Sequence, residues 1–313
     1  MKVDEMCRSD PDSMEAISAA VKNKKIALVT KAKAPSCTYS VIGYYLHNVL
    51  RSAGAQVKRI NVDSTSRIKE RFDVGLYANY DTQPIIHAKL RLLRSMRKNC
   101  GNCMFYANVV PRIPGVAFDT YCVSREELLK VDSPWYSHRA YRQPSQRAMS
   151  AAFYAGRGVD PCFLVPTQNE FRVCIDAMRR DRLKAVEILT HLRQSGFEVD
   201  MVGFDDAGMK TERRLFQDVA DVYKKSSVYI STINGIFEMP LLEAQCAGNN
   251  VISYQGCLRT DLCCPETTSI CNDPDQVVEV VTELSKNIDY GPPREFVSRW
   301  WWTKVIAKIC SQM

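Results

Sequence analysis

Long apolar runs are missing from this 313-residue sequence. A helix that crosses a bilayer needs about 20 consecutive apolar residues, and no stretch of the sequence comes near that length. The first 25 residues are charged and polar, unlike the apolar core of a secretory signal peptide. We therefore expect a cytoplasmic protein with neither a membrane span nor a signal peptide.

Paired metal-binding motifs are missing as well. The sequence has 13 cysteines, and an odd number cannot all pair with one another. Cys100 and Cys103 form one Cys-x-x-Cys motif, which could be half of a zinc site or a redox pair, but neither a second such motif nor His-x-x-x-His accompanies it. The adjacent Cys263 and Cys264 are a weak source of further ligands. We expect mostly buried, reduced thiols and predict no bound metal.

Acidic residues are absent between Asp81 and Asp119. Residues 82–159 contain 12 Lys and Arg against 4 Asp and Glu, a local net charge of +8, whereas the whole chain has a net charge of +7. Positive charge concentrated in this way is typical of proteins with a polyanionic partner. Three classes of partner fit: a phosphate-rich substrate, an anionic membrane surface and a nucleic acid.

Strands and helices are predicted to alternate in two successive halves. The apolar run 25–30 predicts a strand, 39–52 has apolar residues at helical spacing and stops near Gly54, and 56–62 predicts the next strand. Further strands are predicted at 72–77, 103–110, 171–175, 197–202, 228–231 and 250–254, and further helices at 85–98, 181–194, 211–225, 240–247 and 274–287. Such alternation is typical of parallel α/β folds. No Gly-x-Gly-x-x-Gly follows the first strand, which disfavours a dinucleotide-dependent dehydrogenase.

The halves imply two Rossmann-like domains that face one another across a cleft. The segment 158–166 has two prolines and little periodicity, and it predicts the connection between the domains. We therefore predict an N-terminal domain at 1–160, a second domain at 161–290, and a C-terminal helix at 291–313 that packs back on the first domain. Trp300–Trp302 are expected to pack that helix.

The stretch STINGIFEMPLLEAQCAGNNVI, residues 231–252, combines features that suit a phosphorylated ligand. A helix beginning at Pro240 would offer unpaired backbone N–H groups and a positive dipole end to a phosphate. Glu243 would lie in its first turn, where a carboxylate can accept hydrogen bonds from ribose hydroxyls. A purely structural interpretation is also open, with Glu243 as a helix-start glutamate and Gly248 as the C-terminal cap.

The stretch resembles the donor-binding motif of the retaining, nucleotide-sugar-dependent glycosyltransferases with the GT-B fold (the family 4-like or group 1 enzymes). That motif runs approximately E-G-F-G-L-P-x-L-E-A-M-A-x-G-x-P-V-I, and eight positions match in register: Phe237, Pro240, Leu242, Glu243, Ala244, Gly248, Val251 and Ile252. The resemblance implies that Glu243 holds the ribose of the nucleotide. It also implies that backbone groups approach the diphosphate and sugar at Met239, Pro240, Leu241 and Leu242.

The chain departs from the family motif at one important position. The family's first glutamate, which lies close to the transferred sugar, falls on Gly235 in this sequence. Glu238 is then the nearby candidate for its role. The departure leaves open a second interpretation, a catalytically inactive protein that binds nucleotide sugars.

Other matches to the family are weak individually, and they carry weight only because they follow the same order along the chain as in the family. The segment FRVCIDAMRRDRLKAVEIL resembles the strand, loop and helix whose basic pair neutralises the donor diphosphate, and Arg179 and Lys184 are preferred over Arg180 and Arg182. Gly203 would lie at the carboxyl end of the next strand. His87 is the predicted histidine that contacts the donor sugar.

The resemblance implies transfer of a sugar from a UDP- or GDP-sugar to an acceptor, with retention and without a metal or other cofactor. The acceptor is open: a glycan, a lipid-linked molecule or a nucleic acid. The basic helix 85–98 could lie on an anionic membrane, which would make the protein peripheral to it. A DNA base-modifying glycosyltransferase is the other alternative, since aromatic and basic residues capable of stacking and binding phosphate are interleaved at Trp135, Tyr136, Arg139, Tyr141, Arg142 and Arg147.

Overall fold

The computed structural model describes residues 3–31, 38–78, 86, 88–107, 110–111, 113, 115–124, 126–130, 133, 144–156, 158–159, 163, 170–176, 182–202, 216–232, 238–255, 262–286 and 291–313. The chain forms two compact units. The first unit consists of Val3–Gly158 together with Trp301–Met313, and the second unit consists of Val159–Trp300. Each unit contains one sheet.

The first unit is built on six parallel strands: β1 (Lys25–Thr30), β2 (Gln56–Asn61), β3 (Phe72–Ala78), β4 (Cys100–Ala107), β5 (Thr120–Val123) and β6 (Ala152–Tyr154). They lie in the order β2-β1-β3-β4-β5-β6. The described helices before and between them are α1 (Val3–Ser9), α2 (Pro11–Val21), α3 (Thr38–Ser52), α4 (Leu90–Asn99) and α5 (Gln146–Ser150). All residues of β1 after Lys25 are buried, because a central parallel strand is covered on both faces.

The second unit is built on five parallel strands: β7 (Val173–Asp176), β8 (Val199–Val202), β9 (Val228–Ser231), β10 (Asn250–Tyr254) and β11 (Thr268–Cys271). Their order is β11-β10-β9-β7-β8. The described helices are α6 (Arg182–Gln194), α7 (Phe216–Lys225), α8 (Glu238–Cys246), α9 (Pro274–Ser285) and α10 (Arg294–Ser298). A last helix, α11 (Trp302–Cys310), returns to the first unit, where it packs on α2 and α3.

Helices cover both faces of the second sheet. Alternate residues of its strands enter different core clusters, with Cys174 and Tyr229 in one and Ile175 and Ile230 in the other. The first cluster also contains residues of α7 and α8, and the second contains residues of α6 and α9. The predicted pair of Rossmann-like α/β halves is therefore confirmed. Within the described ranges, every helix is too short or too polar to cross a lipid bilayer.

The first 24 residues are predicted to be a polar or helical lead-in, and they form two helices, which separate at Asp10 because a residue before proline disfavours helical backbone angles. Several other predicted boundaries are wrong. The predicted basic helix 85–98 is interrupted at Lys89, which has φ −98° and ψ 8°, so that α4 begins at Leu90, and β4 follows it directly at Cys100, which is already extended. The predicted C-terminal helix is two helices, α10 and α11, which are interrupted at Trp301 with φ −71° and ψ 141°.

Tryptophan and glycine contacts hold the last helix in the first unit. Trp302 is 2% exposed and stacks on Tyr45 with ring centroids 5.7 Å apart. Gly158 lies so close to this indole that a Cβ there would be 2.2 Å from it. Trp301 is buried too, whereas Trp300 packs in the core of the second unit with Phe296, so the packing expected of Trp300–Trp302 is confirmed only in part.

A buried carboxylate connects α11 to the N-terminal helices. Asp10 is 5% exposed; Thr303 Oγ1 donates to its Oδ2 at 2.5 Å, and Lys304 Nζ lies 3.0 Å from its Oδ1. Burial alone would raise the pKa of Asp10, but the hydrogen bonds from Thr303 and Lys304 outweigh that effect and lower it. The lowered pKa means that this cluster stabilises the fold above the unfolded pKa of aspartate.

We expect Thr303→Val to reduce the free energy of unfolding by about 1–3 kcal/mol at neutral pH, because a buried carboxylate loses one of its donors. The loss should shrink as the pH falls through the folded pKa of Asp10, where the carboxylate takes up a proton. Urea unfolding at neutral and acidic pH measures both effects. Thr282→Val on the exposed side of α9 is the control, since Thr282 Oγ1 bonds only to the carbonyl of Val278 in its own helix. An equal loss in both variants would contradict the assignment.

Candidate functional site

The carboxyl ends of four parallel strands meet at one edge of the second sheet. The pairing aligns Asp176 of β7 with Val202 of β8 and with Ser231 of β9, and Ser231 with Ser253 of β10. Ligands of doubly wound sheets bind beyond this edge. The residues at this edge and the helices α6, α7 and α8 therefore form the candidate site.

Helix α8 begins two residues earlier than predicted, at Glu238. Pro240 is thus its third residue, a position that proline tolerates because the first four N–H groups of a helix have no partner within it. Glu243 accordingly lies in the second turn and not the first, beyond the range in which the helix dipole acts strongly. Gly248 ends the helix with φ +91°, as predicted.

Glu243 is a deeply buried carboxylate, 5% exposed. Its charge acts on Tyr223 of α7 and on Cys246 of α8: burial is the main cause that raises the pKa of each, and Glu243 adds to it. Glutamate is rarely buried without a specific structural or functional reason. Glu243 therefore differs from the solvated helix-start glutamate of the purely structural interpretation.

The leucines beside Glu243 belong to the core. Leu241 and Leu242 are each 1% exposed and pack in the cluster that contains Phe163 and Tyr223. Their side chains therefore serve the packing of the second unit. Met239 and Pro240 are half-buried.

Lys184 lies at the carboxyl edge of the second sheet. Its Nζ donates to Oε1 of Gln255 at 2.6 Å, and Gln255 directly follows β10 with φ +54°. An ammonium group has three N–H donors, so two others can reach a ligand. Lys184 is the member of the predicted basic pair that the structure describes.

Five other residues singled out in the sequence fall wholly or partly outside the described residues. Arg179, Gly203 and His87 lie outside them, and so does Gly235. Glu238 is described as the first residue of α8, but the position of its side chain is not. Of the predicted nucleic-acid-binding residues, Trp135, Tyr136, Arg139, Tyr141 and Arg142 also lie outside the described ranges.

The sequence did not predict the role of Asp176, the last residue of β7. Its Oδ2 accepts hydrogen bonds from the hydroxyls of Tyr223 at 3.1 Å and Tyr229 at 3.0 Å. Its carbonyl oxygen accepts from the backbone N–H of Thr232 at 3.3 Å and from Thr232 Oγ1 at 3.2 Å. Burial is the main cause that raises the pKa of both tyrosines well above the ordinary value for tyrosine, and the negative charge of Asp176 is the second cause. An acid that ends an apolar strand is the signal that could have identified it.

The described residues contain no group of three His, Cys, Asp or Glu side chains that could hold a metal ion. Cys100 and Cys103 are free thiols, 7% and 0% exposed. Both thiols of the Cys-x-x-Cys motif are thus buried at the start of β4.

The fold, but not the sequence, matches known proteins. No protein-family model matches the sequence, and no curated protein does. A sucrose-phosphate synthase from Thermosynechococcus elongatus has a TM-score of 0.53 at 12% identity, with 93% of this chain and 98% of the synthase covered. HepE of Anabaena, in complex with UDP and glucose, has a TM-score of 0.52 at 9% identity, with 92% and 98% covered. A glycosyltransferase from Rickettsia africae has a TM-score of 0.50 at 12% identity, with 92% and 93% covered.

These matches extend over both units and nearly the whole length of each compared protein. Sequence identity this low establishes a common fold and nothing finer. The fold predicted from residues 237–252 is confirmed. This chain has the GT-B fold of these glycosyltransferases, with two Rossmann-like units and a last helix that returns to the first.

Proposed function

We propose that this protein is a glycosyltransferase that moves a sugar from a nucleoside diphosphate sugar to an acceptor. The observation that carries the proposal is the buried Glu243, held in α8 within a sequence that resembles the donor motif of GT-B enzymes. The fold supports the same conclusion, because HepE has this fold and binds UDP and glucose. The donor is a UDP- or GDP-sugar, and the reaction retains the anomeric configuration.

In the proposed donor site, different groups of the protein bind different parts of the nucleotide. Glu243 accepts hydrogen bonds from the ribose hydroxyls. The diphosphate lies against Lys184 and Arg179, near Gly203, and against backbone groups of residues 239–242. Such preorganised donors stabilise the negative charge of the leaving diphosphate by roughly 3–4 kcal/mol per group, which is why we propose that transfer needs no metal. Glu238 and His87 act next to the transferred sugar.

In this proposal the first unit binds the acceptor. The protein is cytoplasmic, and α4 lies next to an anionic membrane surface. Leu93 and Met96 of α4 are fully buried in the core, so this helix presents no free apolar face to a bilayer. Lys89, just before this helix, already pairs with Asp63, and Arg97 within the helix already pairs with Asp119. Any membrane contact of this helix is therefore electrostatic, and it should weaken as salt is added.

A panel of UDP- and GDP-sugars tests the proposal by thermal unfolding. A donor present at 100 times its dissociation constant should stabilise the protein by about 2.7 kcal/mol. We expect one nucleotide series to raise the melting temperature and the other to have a smaller effect. The same donors are then assayed for release of free nucleotide. A panel in which no donor shifts the melting temperature would overturn the proposal.

Gly235 favours a second candidate function, binding of a nucleotide sugar without transfer. This residue stands where the family motif has the glutamate that lies close to the transferred sugar. The two functions give different results in the same panel. Stabilisation accompanied by nucleotide release supports the enzyme, and stabilisation without release across a range of acceptors supports the inactive binding protein.

A further inference from the structure

The first unit has a cleft lined by residues that precede its strands β5 and β6. This cleft has a volume of about 510 Å³, within the range of roughly 300–1,000 Å³ that is usual for small-molecule sites. One wall precedes β5, where Asp119 N–H donates to the carbonyl of Cys103. The other wall precedes β6, where Ala151 O accepts from Tyr121 N–H. The cleft therefore lies at the amino ends of β5 and β6.

Four apolar side chains form part of the floor of the cleft. Ile113, Val116, Phe118 and Ala148 line it, and all four belong to the buried core of the first unit. Phe118 also contacts Phe105 edge-to-face, with ring centroids 5.1 Å apart, so the floor is anchored to β4. A rigid apolar floor binds an apolar body with little loss of conformational entropy.

The rim of the cleft has a positive charge that is not neutralised. Asp119 lines the cleft, but its carboxylate already accepts from the Arg97 guanidinium and from Cys103 N–H. Arg147 also lines the cleft, is exposed, and makes no ion pair with any residue in the described ranges. Arg94 lies close by, with a guanidinium nitrogen 3.8 Å from where a Cβ on Gly115 would be. Arg97 therefore offsets the charge of Asp119, and Arg147 and Arg94 add further positive charge to this part of the first unit.

We propose that this cleft binds a small amphiphilic anion: a molecule with one apolar ring or short chain and one acidic group. The apolar body lies on the floor formed by Val116, Phe118 and Ala148, and the acidic group binds the Arg147 guanidinium at the rim. This site is separate from the proposed donor site, which belongs to the second unit. It also gives a specific location to part of the positive charge that residues 82–159 carry.

Two dyes that differ mainly in charge test the proposal. The anion 8-anilinonaphthalene-1-sulfonate and its uncharged analogue N-phenyl-1-naphthylamine both become fluorescent in apolar sites. We expect one saturable sulfonate site per chain. Arg147→Gln should raise its dissociation constant about five- to tenfold, as loss of one charge-assisted hydrogen bond does, and leave the affinity for the uncharged dye unchanged. Arg51→Gln, an exposed arginine on α3, is the matched control and should change neither.

A blocking variant locates the bound dye. Ala117 is a half-exposed lining residue, so Ala117→Trp should fill the cleft without disturbing the core and should abolish sulfonate binding. The urea unfolding curve of Ala117→Trp must match that of the wild type. If the two curves differ, Ser150→Trp at the exposed end of α5 is used as the blocking variant. Hexyl phosphate should displace the dye, whereas inorganic phosphate and hexanol should not.

Each of four results would overturn the proposal: no saturable sulfonate binding, unchanged affinity in Arg147→Gln, equal weakening of both dyes in that variant, or full binding in the blocked protein. Glu243→Gln should leave dye binding intact. Failure of the donor proposal and failure of this one are therefore distinguishable, because each site has its own variant and its own ligand.

Discussion

Glu243→Gln should weaken binding of the preferred nucleotide, UDP or GDP, by about 10- to 100-fold. Hydrogen bonds to a charged group contribute about 1.5–3 kcal/mol, and tenfold in affinity corresponds to about 1.4 kcal/mol. Glutamine has almost the same shape as glutamate and keeps one oxygen acceptor, so the packing of a side chain that is 5% exposed changes little. Isothermal titration with UDP and GDP measures the loss directly.

Glu283→Gln provides the matched control for this variant. Glu283 lies on α9 of the same unit, its side chain is 72% exposed, and it pairs only with the exposed Lys286 one turn away. Exposed pairs of this kind contribute little, so the nucleotide affinity should stay at the wild-type value. If Glu243→Gln binds nucleotide as tightly as the control does, the ribose role of Glu243 is wrong and the proposed function loses the observation that carries it.

The sequence predicted eight of the eleven described strands, because their signal is local, and missed β5, β6 and β11. A central strand of a parallel sheet is covered on both faces, so β1 appears in the sequence as an uninterrupted apolar run. Helix ends marked by glycine were also predicted, since Gly54 and Gly248 both adopt positive φ angles that other residues rarely take. These features depend on a few consecutive residues.

Boundaries without such a marker were not predicted. The start of α4 at Leu90 and the interruption at Trp301 have no proline or glycine to indicate them. Trp301 has extended backbone angles, and its neighbour Trp302 packs on Tyr45. These contacts join residues that lie far apart in the chain. Tertiary packing of this kind leaves no local pattern to recognise.

The candidate site shows the same difference between features with a local sequence signal and features that depend on tertiary packing. Glu243 was singled out as a candidate because it lies inside a recognisable string of residues, whereas Asp176 was not. The partners of Asp176 are Tyr223 and Tyr229, which lie 47 and 53 positions further along the chain. Only the folded sheet brings three such residues together, and each of them alone is an ordinary residue of an apolar strand or a helix.

Asp176→Ala should reduce the free energy of unfolding by about 3–5 kcal/mol, the cost typical of removing one partner from a buried charged cluster. Two buried tyrosine hydroxyls would lose their acceptor, and each unsatisfied group costs about 1–3 kcal/mol. Tyr229→Phe removes a single donor and should cost about 1–2 kcal/mol. Urea unfolding of the variants, monitored by circular dichroism, measures the differences.

The double variant Tyr223→Phe/Tyr229→Phe makes the test specific to the shared carboxylate. Both hydroxyls donate to the same oxygen, so the two substitutions should not be additive, and residues that share a partner typically show coupling of about 0.5–3 kcal/mol. Tyr44→Phe on α3 is the control, because the Tyr44 hydroxyl bonds to none of the described residues and its loss should cost less than about 0.5 kcal/mol. Additive losses would show that the tyrosines act independently. In that case Asp176 would not be the centre that joins the end of β7 to strand β9 and helix α7.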